Sequence, residues 1–157
     1  MATVEILNEQ GYAVDEARLR SAAITTLTQQ RAQPDSALTI VITDNESVAA
    51  LNRQYRGIDA PTDVLTFPAD APPVILEGEP SYLGDLIIAY PYAATQAQGH
   101  DLGDNLALLV VHGTLHLLGY DHDTLEQRAA MWTAQEAAVR ALHISPDVVP
   151  ALESYDH

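Results

Sequence analysis

Three histidines fall within one eleven-residue phrase, His112-Gly-Thr-Leu-His116-Leu-Leu-Gly119-Tyr-Asp-His122. Neutral imidazoles converging on one point suit Zn²⁺. His112 and His116 are four apart, so on a helix their rings leave one face about 5–6 Å apart at Cβ. Gly119 can adopt a positive φ, the usual way to end a helix and reverse the chain. His122, three residues on, then falls where it can close over the same face. A lone helical histidine is ordinarily a core or surface residue. Two at this spacing, followed by a glycine turn and a third, point to a metal site. The remaining histidines, His100, His143 and His157, lack such partners and are expected to face solvent. The chain has no cysteine, so ligands must come from His and carboxylates. Three protein ligands leave a fourth position for water or substrate, the mark of a catalytic zinc site, where water is acidified to a pKa of about 7.

Other residues are candidates with open alternatives. Arg53 and Arg56 are three apart at a helix end and share a face. Their guanidinium forks could hold phosphate. From spacing alone, pairing of Arg56 with Asp59 or with the helix C-terminus is the commoner arrangement. Thr62 and Asp63 could cap the turn before a strand, or Asp63 could support the site. Asp85, beside Gly84 at a strand, is either a turn carboxylate or a partner that orients a metal-bound histidine. Asp121 and Asp123, flanking His122, carry the same two readings.

These residues need elements to hold them. Thr3–Leu7 reads as a strand. Asp15 caps a helix reaching about Arg31, with an apolar stripe through Leu19, Ala23 and Leu27. The β-branched run from Ala37 to Thr43 is a second strand. Asp44 or Asn45 caps a helix over Ser47–Tyr55, followed by a loop from Arg56 to Asp63. Val64–Phe67 is a strand ending at Pro68, and 69–82 is a Pro- and Gly-broken loop. Leu83–Tyr90 is a strand, and Pro91 begins a helix. The metal-site helix runs over Asn105–Leu118 and a last helix over Thr124–Leu142. The acidic tail after Pro146 is expected to fray. The expected fold is α+β: a small, mostly parallel or mixed sheet of about four strands packed with about five helices, with the metal site on a central helix.

Length and charge set bounds. The 157 residues fit one domain, 1–157, with no repeat or linker to divide it. No apolar run would span a membrane, and the N-terminus, with its early acid, does not read as a signal peptide. Twenty-two acids face seven bases, every one an Arg, for a net charge of −15. Such a field repels nucleic acid at long range, so RNA binding would rest on local arginines and the metal.

The motifs nevertheless resemble a family. His112-Gly113-x-Leu115-His116-Leu117-x-Gly119-Tyr120-Asp121-His122 resembles the signature of the YbeY-type rRNA maturation endoribonucleases. Asn52-x-x-Tyr55-Arg56-x-x-Asp59-x-Pro61-Thr62-Asp63-Val64-Leu65-x-Phe67-Pro68 resembles that family's second signature, and Leu83-Gly84-Asp85 its third. Thr66 stands where Ser is commoner. The resemblance implies a cytoplasmic enzyme with one zinc held by His112, His116 and His122. It implies single-strand-specific endoribonuclease activity in 16S rRNA 3′-end maturation and late-stage 70S ribosome quality control. Arg56 would join His112 and His116 as a catalytic residue. The small ribosomal subunit, with ribosomal or GTPase assembly proteins, would supply the partners. Two rivals stand beside it. One is a metzincin-like peptidase, although Gly113 fills the slot where those enzymes place a Glu base. The other is a non-catalytic, zinc-stabilised ribosome-associated factor.

Overall fold

The computed structural model describes residues 2–69, 81–97 and 101–145. The described elements run β1 (Thr3–Leu7), α1 (Glu16–Gln29), β2 (Ser36–Thr43), α2 (Asn45–Arg56), β3 (Val64–Pro68), β4 (Ser81–Ala89), α3 (Tyr90–Gln96), α4 (Leu102–Leu117) and α5 (Leu125–Ala141). The expected broken loop before β4 falls mostly outside the described residues, as do His100, His157 and the tail after Pro146.

The four strands form one mixed sheet in the order β1-β2-β4-β3. β1, β2 and β4 are parallel, and β3 joins the β4 edge antiparallel, with Val64 opposite Ile88. Alternation along the strands sorts their side chains onto two faces. Leu38, Ile40, Ile42, Val64, Leu86 and Ile88 enter the main core with α1, α4 and α5. Leu65 and Ile87 enter a smaller cluster under α2 with Val48. The fold is thus α+β, with helices on both faces and α4 at the centre of the larger layer. Every residue of α4 from Asn105 to Leu115 is buried, which is why this helix reads as apolar all round.

The helix caps explain most boundaries. Asp15 accepts from the Arg18 N–H, and Asp44 from the Ser47 N–H. Thr124 and Gln127 form a reciprocal capping box at the start of α5. α4 begins three residues earlier than the sequence suggests, because Asp101 accepts from the Asp104 N–H and nucleates an extra first turn.

Candidate metal centre and its groove

α4 carries His112 and His116 on one face, and its C-terminus positions the rest of the centre. Gly119, at φ 101°, follows the helix. There the Tyr120 N–H reaches the Leu115 carbonyl at 3.0 Å and the Gly119 N–H reaches that of His116 at 3.0 Å. This double bond pattern is a Schellman ending, which a side chain at Gly119 would strain. The reversal swings the Tyr120 carbonyl onto the His116 ring, where it accepts from Nδ1 at 2.9 Å. It also carries His122 back over the helix, with ring centroids 5.2 Å from His116 and 6.0 Å from His112.

The rings are fixed so that their Nε2 atoms converge. His112, fully buried, has its Nδ1 3.1 Å from the amide oxygen of Gln135. With both Nδ1 protons engaged, the Nε2 atoms of His112 and His116 face each other 3.1 Å apart as lone-pair donors. Among the described residues His122 Nε2 is buried with no hydrogen-bond partner. Ligand atoms of the three residues lie within 4.8 Å of one another. Nitrogens on a tetrahedral cation at about 2.0–2.1 Å stand about 3.3 Å apart. The orphaned nitrogen and the opposed lone pairs therefore fit a divalent metal. Burial, and then the neighbouring His122, push the His116 pKa down, which keeps its ring neutral as a ligand must be.

A groove of about 360 Å³ runs from these histidines across the edge strand β3 to the end of α2. Arg56, residues 64–67 of β3, His112, His116 and Asp121 line it. Arg56 is the last residue of α2 and is exposed. It is Arg53 that meets Asp59, at 3.9 Å. Among the described residues Arg56 makes no ion pair, so the Asp59 alternative for this side chain is not what the fold adopts.

The carboxylates fall in different places. Asp121 lines the groove, and its Oδ1 accepts from the His122 N–H at 2.8 Å. Asp123 forms a second grouping with Asp121 and His122. Asp63 is buried at the foot of β3, where its Oδ1 accepts from the Val64 N–H at 2.9 Å. Its main-chain carbonyl accepts from the Ala89 N–H, locking the start of β3 to β4. Burial pushes its carboxyl up to about 6. Asp85 is not brought to the histidines. Its neighbour Leu86 faces Gly113 of α4. Alternation therefore turns Asp85 to the other face, where its carboxylate accepts from the Tyr82 hydroxyl. Of the two readings left open for Asp85, this geometry is that of a carboxylate bonded within its own strand.

Gly84 accounts for that third motif. At φ 136°, a Cβ there would come within 2.2 Å of the Phe67 carbonyl oxygen. Only glycine lets β3 lie this close, and the pairing of β2 with β4 shifts register at the same point. Gly113 marks a second close approach, since a Cβ there would sit 2.7 Å from Leu86 Cδ2. The slot after His112 thus faces the sheet, and a side chain placed there would require Leu86 to shift.

Two residues of α5 complete the centre, and spacing around the histidines did not point to them. Gln135 holds His112, and the Trp132 ring lies 5.9 Å from His112 and 6.2 Å from His122. One signal was present: Gln135 is a polar residue in the buried stripe Met131, Ala134, Gln135, Ala138 of α5. A buried amide at such a position needs a partner.

Fold and site together define an α+β protein with three histidines, carried by a buried helix and its returning loop, beside an arginine-tipped groove. The family model for endoribonuclease YbeY matches residues 5–143, and the chain belongs to the YbeY endoribonuclease family. Relatives named endoribonuclease YbeY include one from Mycobacterium leprae (strain Br4923), 39% identical over 140 residues that cover 85% of this chain and 79% of the relative. Another, from Mycobacterium tuberculosis (strain ATCC 25618 / H37Rv), is 35% identical over 162 residues, covering 99% of this chain and 89% of its own. The solution structure of TM1509 from Thermotoga maritima shares the fold, with a TM-score of 0.60 at 24% identity over 98% of this chain and 97% of that one.

Proposed function

We propose that this chain, as one domain spanning 1–157, is a zinc-dependent, single-strand-specific endoribonuclease. We place its work in 16S rRNA 3′-end maturation and late 70S quality control, on the small ribosomal subunit in the cytoplasm. One observation carries the catalytic reading: a single groove joins the convergent nitrogens of His112 and His116 to the exposed guanidinium of Arg56. Family membership supports RNA as the substrate.

His112, His116 and His122 would hold the zinc. Bound there, it supplies Lewis acidity and an acidified water. The rest of the work falls to the chain. Arg56 offers a donor fork to the non-bridging oxygens of a phosphodiester and stabilises the negative charge that grows on them. Residues 64–67 form the floor against which the strand is laid. The buried α4 side keeps bulk water from behind the rings, which strengthens each electrostatic contact at their front. At about 360 Å³ the groove is near the lower end of small-molecule pockets, about 300–1,000 Å³, which suits a nucleotide unit of a flexible strand. The net charge of −15 makes these local contacts the source of RNA affinity.

The test is cleavage of a 16S 3′-precursor fragment, single-stranded and annealed to its complement, with zinc restored or chelated. The single strand should be cut, the duplex spared, and chelation should abolish cutting while the circular dichroism spectrum holds. Turnover of casein by the zinc-loaded protein, with RNA left intact, would sink the proposal in favour of a peptidase.

A further inference from the structure

The three histidines are not held alike. The Nδ1 of His116 is bound by a main-chain carbonyl, which the helix ending fixes whatever the side chains are. The Nδ1 of His112 is bound instead by a side chain from a different helix, Gln135 of α5. Gln135 is 2% exposed and lies twenty-three residues further along the chain. Which nitrogen of an imidazole carries the proton is set by the bond the other nitrogen makes. An amide oxygen can only accept, so it requires the proton on Nδ1 and leaves Nε2 bare.

We propose that Gln135 is the positioning residue of the metal centre. Its amide oxygen selects the His112 tautomer and ring orientation, so that Nε2 faces His116 and His122 before any cation arrives. The inference rests on the metal-binding reading given above. Three observations converge on it. His112 is fully buried, so water does not substitute for Gln135. His112 Nε2 already stands 3.1 Å from that of His116, close to the separation of two nitrogens on one tetrahedral cation. Trp132, one turn before Gln135, packs its ring near both His112 and His122 and limits how far either ring can rotate. The acceptor is neutral. A carboxylate in its place would keep the same bond and add negative charge behind the ring, making His112 a stronger donor to the metal.

Two measurements test this. The first needs no metal. In ¹⁵N–¹H spectra of the metal-free protein, His112 should carry its proton on Nδ1. In Gln135→Leu that population should shift toward Nε2–H, while Gln135→Glu keeps it on Nδ1. The second is metal uptake, read by Co²⁺ quenching of fluorescence from Trp132, the chain's single tryptophan, and by Zn²⁺ competition with a chromophoric chelator. Gln135→Leu should bind roughly 10–100-fold more weakly, the usual loss when such a supporting partner is removed. Gln135→Glu should bind at least as tightly as wild type. The proposal is overturned if wild-type His112 is protonated on Nε2, or if the leucine variant binds as tightly as wild type. It is overturned too if leucine and glutamate weaken binding equally, because that pattern reports packing alone. A wild-type protein that takes up neither Co²⁺ nor Zn²⁺ fails differently: it removes the metal centre itself.

Discussion

The two walls of the groove are built on opposite plans. On the α4 wall, His112 is held by Gln135 and His116 by the Tyr120 carbonyl, and α4 behind them is buried from Asn105 to Leu115. On the α2 wall, Arg56 is exposed at the last position of its helix and, among the described residues, holds no ion pair. The α2 wall meets β3 through an edge-on contact of Tyr55 and Phe67, with ring centroids 5.2 Å apart. A resident cation needs ligands ordered in advance, because any freedom they keep is subtracted from its affinity. A substrate that must enter and leave is served by a side chain that closes on it and lets go, at up to about 2 kcal/mol of lost rotamer freedom. On the function proposed above, the contrast separates permanent binding from transient binding within one cavity.

The sharpest way to break the contrast is to remove one group from each wall and read activity and stability together. His116→Ala deletes a proposed metal ligand from the ordered wall. RNA cleavage should fall by more than about 10³-fold, since the Lewis acid is worth several kcal/mol. Bound metal, measured by mass spectrometry on the same sample, should fall with it. Retained zinc and retained cutting together would take His116 out of the site. Arg56→Ala acts on the free wall. Loss of one charge-stabilising donor costs about 10²–10³ in kcat. Its thermal midpoint should stay near wild type, because surface changes of this kind stay within about 0.5 kcal/mol. Metal content should be unchanged. An Arg56→Ala protein that loses its metal would show that the walls are one structural unit after all.

The same contrast governs what could be read from the sequence. The histidines were legible because their geometry is local: a helical spacing of four and a glycine turn place them with no help from distant chain. The strand order and β3's antiparallel edge were not legible in detail, since several registers satisfy the same alternation. The partner of Gln135 was out of reach for the same reason, His112 being brought to it only when α5 packs across α4. Asp85 was ambiguous because its side is decided by alternation relative to Leu86, and that phase becomes fixed only once Gly113 is seen against Leu86. Arg56 shows where spacing alone falls short. Pairing with Asp59 was the commoner expectation, yet the pairing falls to Arg53, one turn earlier.

β3 is the element both walls share, so displacing it should weaken both. Gly84→Ala puts a Cβ 2.2 Å from a main-chain oxygen, at a φ of 136° that L residues rarely adopt. Neither backbone can yield as a side-chain tip would. A loss of about 3 kcal/mol is expected in urea unfolding. RNA cleavage should fall in the surviving folded protein, because Thr66 and Phe67 move with the strand. An alanine variant as stable as wild type would mean that β3 is not held by this contact.

The smallest expected effect lies at the foot of the same strand, and it has the opposite sign. Asp63 has an ordinary pKa of 3.8 that burial raises to about 6. The folded protein therefore binds a proton that the unfolded chain has already released between those values. Below about pH 4 the side chain costs folding nothing. The cost grows as pH rises toward 6 and is fully present above it. A shift of about 2 units corresponds to about 3 kcal/mol as an upper figure. Asp63→Asn removes the charge but accepts more weakly from the Val64 N–H, so the net gain should be about 1 kcal/mol. Thermal unfolding at pH 8 should show the asparagine variant more stable than wild type, and at pH 4 the difference should vanish. A variant destabilised at pH 8 would mean that the ionised carboxylate is needed to anchor β3, and the strand between the two walls would then depend on a charge rather than tolerate one.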